Sequence, residues 1–156
     1  MILNKMNIEE SNRFFNETIQ DLAEANATCG EWKESESLEK SKEHFKKQFP
    51  NGIIDENNYL YSILNQNHEI VGNVWMTVNK KKIAWLQNIK INENHRRNGY
   101  GKTAVLELST IAKDLGIQKI GLHVFGYNKE ALRFYKSLEF TIKNVILEKN
   151  INDCRK

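Results

Sequence analysis

The chain predicts an α/β (α+β) fold with a mixed, mostly antiparallel central sheet flanked by helices. The expected order is β-α-α-β-β-β-α-β-α-β, with room for one further strand at the end. Three observations predict it. Two amphipathic stretches fill the first third of the sequence. Three runs rich in aromatic and branched residues follow, separated by short polar connectors. Helical and strand patterns then alternate after a glycine-containing turn, which is the signature of helices packed on a sheet.

The elements follow in order. Ile2 and Leu3 belong to a short first strand. Asn7 with Glu10 three residues later forms a capping box, Asn standing in for Ser or Thr. The segment from Ile8 to about Ala27 carries Phe15, Ile19, Leu22 and Ala23 at helical spacing. A second helix runs from Ser35 to Gln48, with Leu38, Phe45 and Phe49 inward and the charges of Lys40–Lys47 outward. Phe49-Pro50-Asn51-Gly52 stops it, since proline disfavours helix in the residue before it and Asn-Gly turns readily. Tyr59–Leu64, Ile70–Val78 and Ile83–Ile91 read as an antiparallel meander. Val105, Leu108, Ala112 and Leu115 form a helical stripe that ends at Gly116. Ile117–Phe125 reads as a strand, Asn128–Leu138 as a helix and Phe140–Glu148 as one or two closing strands. Residues 1–150 are expected to form a single domain, with 151–156 a polar, frayed tail.

Composition excludes several classes of function. The 156 residues suffice for one sizeable core. Lys plus Arg exceed Asp plus Glu only by 23 to 20, and the charges are interspersed, which argues against a nucleic-acid surface. No apolar run approaches the roughly 18 residues that span a bilayer, and no charged-then-apolar leader opens the chain. Cys29 and Cys154 make neither a metal nor a disulfide pattern, so no metal is expected and a reducing cytoplasm is the expected compartment.

The turn Arg96-Arg97-Asn98-Gly99-Tyr100-Gly101-Lys102-Thr103 joins the third run of the meander to the next helix. The first amides of a helix lack internal partners, and the helix dipole is positive at that end. Gly99 and Gly101 let the main chain approach a phosphate closely. Arg96, Arg97 and Lys102 add fixed positive charge. Strand, turn and helix start in this order make an anion site.

Downstream come Asn128, Ala131 and Tyr135, then Leu138-Glu139-Phe140. At about 100° per residue the first three fall within a roughly 60° arc of one helix face. Together with Arg96, Gly99 and Gly101 in an Arg-x-x-Gly-x-Gly turn, this pattern resembles the GNAT superfamily of N-acetyltransferases. The resemblance is most specific over residues 83–140. It implies transfer of an acetyl group from acetyl-CoA, used as co-substrate, to a small-molecule or peptide amine. It also implies pyrophosphate binding by Arg96–Thr103, and an oxyanion-holding main-chain amide within the strand Asn88–Ile91, so that Ile89, Lys90 and Ile91 join the cofactor site. Asn128 and Ala131 would lie along the pantetheine arm and Tyr135 beside the thioester sulfur. Many relatives pair as homodimers.

The chemistry asks for a base to take a proton from an amine of pKa near 10.4, and an acid to cap a thiolate. A phenol with pKa near 10 stays protonated at neutral pH, so Tyr135 suits the acid. Many relatives carry a carboxylate in the strand before the turn, where this chain has Gln87 and Asn88. His123, Glu31 and Glu34 are the candidate bases. Duller roles stand beside these. Tyr135 also fits a core position, His123 a structural strand residue, and Asn128 a helix cap compatible with cofactor contact. Glu139 departs from the family's usual glycine before Phe140. The alternative function is a non-catalytic acyl-CoA sensor of the same fold. Polyamine, aminoglycoside, amino acid and peptide amine all remain open as acceptors.

Overall fold

The first long helix starts where its cap requires. The Asn7 side chain accepts from the Glu10 N–H and the Glu10 carboxylate accepts from the Asn7 N–H, each at 2.8 Å, so two amides of the first turn are satisfied reciprocally. The computed structural model describes residues 2–53 and 55–151, and the chain divides after Leu122 into two compact units. Cys154 and most of the expected polar tail lie outside the described residues.

The first unit runs β1 (Leu3–Lys5), α1 (Ile8–Thr28), α2 (Glu34–Gln48), β2 (Asn58–Leu64), β3 (Ile70–Val78), β4 (Ala84–Ile91), α3 (Tyr100–Asp114) and β5 (Ile120–Gly121). The strands form one sheet in the order β1-β2-β3-β4-β5, antiparallel throughout except for the parallel pair β4–β5. That exception follows from connectivity. Two-residue to four-residue turns can join antiparallel neighbours, whereas a parallel neighbour needs a crossover, here supplied by α3.

β3 is buried on both faces, and this organises the core. Trp75 points into an aromatic cluster with Phe14 of α1 and Phe45 and Phe49 at the end of α2. Its indole N–H donates to Asn58 Oδ1 at 2.7 Å, which removes the cost of burying that polar edge. Val74 and Met76 alternate to the other face and are fully buried. Ala104, Val105, Leu108 and Ala112 supply the buried stripe of α3. Glu107 of α3 ties β1 down by accepting from the Ile2 and Leu3 N–H groups at 2.8 and 3.0 Å.

Three expectations change. Leu38, expected inward, is 42% exposed. The buried face of α2 is instead Ser37, Ser41 and Phe45, spaced four apart, and Ser41 Oγ donates to the Ile19 carbonyl of α1 at 2.6 Å. Small residues here let the two helices approach closely, and Leu38 falls about 100° off that stripe. The strand expected at Ile117–Phe125 contracts to Ile120–Gly121. The Ile117 N–H is used by the helix cap, donating to the Ala112 carbonyl at 2.9 Å while Gly116 N–H reaches Lys113. Beyond Gly121 the ladder with β4 stops.

The second unit contains α4 (Lys129–Ser137). Among the described residues, 140–148 form no strand. Val145, Ile146 and Leu147 are 72–89% exposed. Branched residues favour strands only against a partner ladder, and the Lys143-Asn144 pair breaks the alternation that would give the segment one apolar face.

Candidate active site

β4 ends at Ile91 and a short 3-10 turn, Glu93–His95, leads into the glycine turn. Arg96 Nε donates to the Ile91 carbonyl at 3.1 Å, strapping the turn to the strand end. Arg97 and Gly99 both adopt left-handed backbone, with φ of 63° and 79°. Between them Asn98 Nδ2 donates to the His95 and Arg96 carbonyls at 3.1 and 3.3 Å, which braces the loop from inside. Left-handed residues placed just before a right-handed helix start make successive amides converge into an anion nest.

Gly99 is the N-cap of α3, and no side chain caps the helix. The Gly99 carbonyl accepts from Thr103 N–H at 3.0 Å and from Thr103 Oγ1 at 3.1 Å, so the bonded ladder begins at Thr103. The amides ahead of it keep their donors for something else. The two glycines have different causes. Gly99 is demanded by its positive φ, whereas Gly101 sits inside α3 without one. Glycine there costs about 0.5–1 kcal/mol against alanine, so the missing side chain is unexplained by backbone shape. Among the described residues Arg96, Arg97 and Lys102 have no acidic partner. Net positive charge and free amides therefore meet at one place.

β4 itself is irregular. Trp75 pairs with Asn88 but Met76 with Leu86, leaving Gln87 as the extra residue of a β-bulge. Gln87 Nε2 donates to Thr77 Oγ1 at 3.0 Å. Parallel pairing with β5 covers only Ala84↔Ile120 and Trp85↔Gly121, so Leu86–Ile91 has no β5 partner. Gly121 lies against the Trp85 ring, where a Cβ would come within 2.8 Å. Gly72 of β3 has a harder neighbour, since a Cβ there would strike the Lys90 carbonyl. That contact keeps β3 tight against the irregular stretch.

On the α1 side of this stretch lies a small polar pocket of about 50 Å³. Glu17, Thr18 and Asp21 of α1 line it together with Asn73, Asn88 and Lys90 of the sheet. Lys90 Nζ pairs with Asp21 Oδ2 at 3.1 Å. The Asn73 Oδ1 is buried and has no hydrogen-bond partner among the described residues.

In the second unit Asn128 is the N-cap of α4, its Oδ1 accepting from the Ala131 N–H at 3.1 Å. Its Nδ2 has no acceptor among the described residues. Tyr135, one face along, packs edge-on against Phe134 and Phe140. Burial pushes its phenol above the usual value, which favours the protonated form. Glu139 has φ of 70°, the left-handed bend that glycine adopts without cost.

Residues 19–140 match the acetyltransferase (GNAT) family. The chain belongs to the GNAT acetyltransferases. The Bacillus subtilis (strain 168) protein named "Uncharacterized N-acetyltransferase YdgE" is 30% identical over 96% of this chain and 97% of its own. The protein named "Uncharacterized N-acetyltransferase YycN" of the same organism is 27% identical, and its crystal structure superimposes with a TM-score of 0.85 over 97% of this chain and 99% of that one. An aminoglycoside acetyltransferase, meta-AAC0020, shares the fold with a TM-score of 0.61 at 18% identity, covering 96% of this chain and 94% of that one.

For this GNAT chain the structure gives each sequence-derived residue a place. Ile89, Lys90 and Ile91 follow the bulge, and Arg96, Arg97, Asn98, Gly99, Tyr100, Gly101, Lys102 and Thr103 form the turn and first helical residues. Ala131 and Tyr135 lie on the short helix of the second unit, which Asn128 caps. His123 is exposed and lies two residues past β5 rather than on a strand. Glu31 and Glu34, both exposed, occupy the α1–α2 joint. Asn73 was not singled out from the sequence. Its signal is an amide amid the apolar run Ile70-Val71-Gly72-Asn73-Val74-Trp75-Met76, where an unpaired polar group is costly.

Proposed function

We propose that this chain transfers an acetyl group from acetyl-CoA to a primary amine by direct attack in a ternary complex. The observation that carries the reading is the uncapped start of α3, with its unpaired cations, on a chain of the GNAT family. The donor set fits a diphosphate: helix amides, Arg96, Arg97 and Lys102 offer donors and positive charge, and none of the three cations pairs with a carboxylate among the described residues. Gly101, whose conformation does not require glycine, puts no side chain beside them.

In this reading residues 1–150 act as one acyltransferase domain, and the family match across both units supports that. Acetyl-CoA supplies the activated acyl carbon. The main-chain amides of Ile89–Ile91, freed from β5, hold the carbonyl oxygen as charge develops on it. Asn128 caps its helix through Oδ1 and keeps Nδ2 for the pantetheine amide, with Ala131 leaving the gap beside it. Tyr135, kept protonated by burial, gives its proton to the departing sulfur. His123 takes the amine proton, directly or through water, with Glu31 and Glu34 as the other candidates. No enzyme nucleophile is needed.

A second reading is a non-catalytic acyl-CoA sensor, favoured by Gln87 and Asn88 at the bulge, neither of which takes a proton. One experiment separates the two: calorimetric titration with acetyl-CoA alongside thiol release over a panel of amines. Binding with turnover supports the enzyme. Tight binding without turnover on any amine supports the sensor, and absence of binding contradicts both.

A further inference from the structure

We infer that the polar pocket between α1 and the β4 bulge binds a second, cationic nitrogen of the acceptor, which makes the preferred substrates diamines. The inference rests on the acetyltransferase reading above and names the acceptor class of that site.

Among the described residues, the one buried side-chain N or O atom without a partner is an acceptor in this pocket, Asn73 Oδ1. Leaving such a group unpaired costs about 1–3 kcal/mol, so a donor from outside the chain is favoured there. Glu17, Thr18 and Asp21 offer further acceptors, beside the donors of Lys90, Asn88 and Asn92. Thr18 Oγ1 already donates to the Phe14 carbonyl at 2.9 Å and retains lone pairs. Asp21 is matched by Lys90, but Glu17 has no ion-pair partner among the described residues. Two carboxylates against one ammonium leave the pocket net negative. A primary ammonium carries three donors and no acceptor, and about 50 Å³ is room enough for such a group, since roughly 10–15 Å³ of this kind of space admits a water.

Position gives the second nitrogen its meaning. Asn88 lines the pocket and is also the residue that follows the bulged Gln87, so the pocket abuts the stretch whose amides are assigned to the acyl carbonyl. An acceptor anchored there by one charged nitrogen presents its other end to the reacting carbon. The anchored nitrogen stays charged while the attacking one is neutral. Fixing the substrate this way lowers the entropic cost of attack.

The test uses putrescine and its monoamine counterpart, butylamine, titrated calorimetrically into the protein with and without CoA, and assayed by thiol release with acetyl-CoA. The expected result is putrescine binding at least about tenfold tighter than butylamine. Asn73→Leu and Glu17→Gln should each weaken putrescine about tenfold while acetyl-CoA affinity holds. Glu17 is exposed, so its variant folds even if the Asn73 variant does not. Equal affinity for the two amines overturns the inference. So does unchanged putrescine affinity in Glu17→Gln together with any folded Asn73→Leu, which would make the pocket a water site. Failure to bind acetyl-CoA at all instead overturns the acetyltransferase reading, and the amine titrations of the free protein still decide the pocket.

Discussion

Single residues carry the chemistry, and three of them give sharp expectations. Tyr135→Phe removes only a hydroxyl, so kcat should fall about a hundredfold with the KM for acetyl-CoA nearly unchanged. Steady-state thiol-release kinetics check this, and equal losses in kcat and cofactor affinity would reduce the phenol to a contact. Gly101→Val places a branched side chain over the first amides of α3. It should abolish acetyl-CoA binding in calorimetry while the circular dichroism spectrum stays native. Glu139 holds a left-handed φ of 70°, a conformation that costs an L-residue about 1–2 kcal/mol. Glycine recovers that cost less its own entropy, so Glu139→Gly should stabilise the protein by up to about 1 kcal/mol in urea unfolding. The family's usual glycine is absent here. The bend that glycine favours is present nonetheless, imposed on glutamate by its surroundings.

At the scale of elements, regular segments were legible where pattern and punctuation agreed. The Asn7–Glu10 box, the stop at Gly116 and the three meander strands appear in the structure within a residue or two of their sequence bounds. What the sequence did not reveal depended on neighbours. Leu38 reads as core by hydrophobicity, yet the α1–α2 contact is made by serines, and only the partner helix decides that. Ile117–Phe125 has strand composition, but its first amide is taken by the cap of α3 and its later residues have no ladder. The bulge at Gln87 is invisible to periodicity because a single extra residue looks like ordinary alternation slipping. The glycine turn was legible because its residues serve the backbone locally, whereas Asn73 becomes conspicuous only once its lack of a partner is seen. Gly72 tests the tight β3–β4 approach. Gly72→Ala should destabilise by about 1–3 kcal/mol, as overpacking does, through its clash with the Lys90 carbonyl. An unchanged urea midpoint would contradict that packing.

Across the whole molecule, half-buried phenols link stability to alkaline pH. Burial raises Tyr135, and burial followed by the neighbouring Tyr59 raises Tyr61. Below about pH 10 both states hold these protons and the groups contribute nothing. Above it the unfolded chain releases them first, so the native state binds more protons and stability falls as pH rises toward the folded values. Between about pH 9 and pH 11 the double variant Tyr61→Phe/Tyr135→Phe should therefore lose less stability than the parent in urea unfolding. Parallel losses would show the phenols to be unlinked. The claim on which the functional account depends is the anion site at the start of α3. A crystal grown with CoA measures it directly. The diphosphate is expected on the amides of residues 99–102, with Arg97 and Lys102 beside it, and a diphosphate bound at any other place would contradict that assignment.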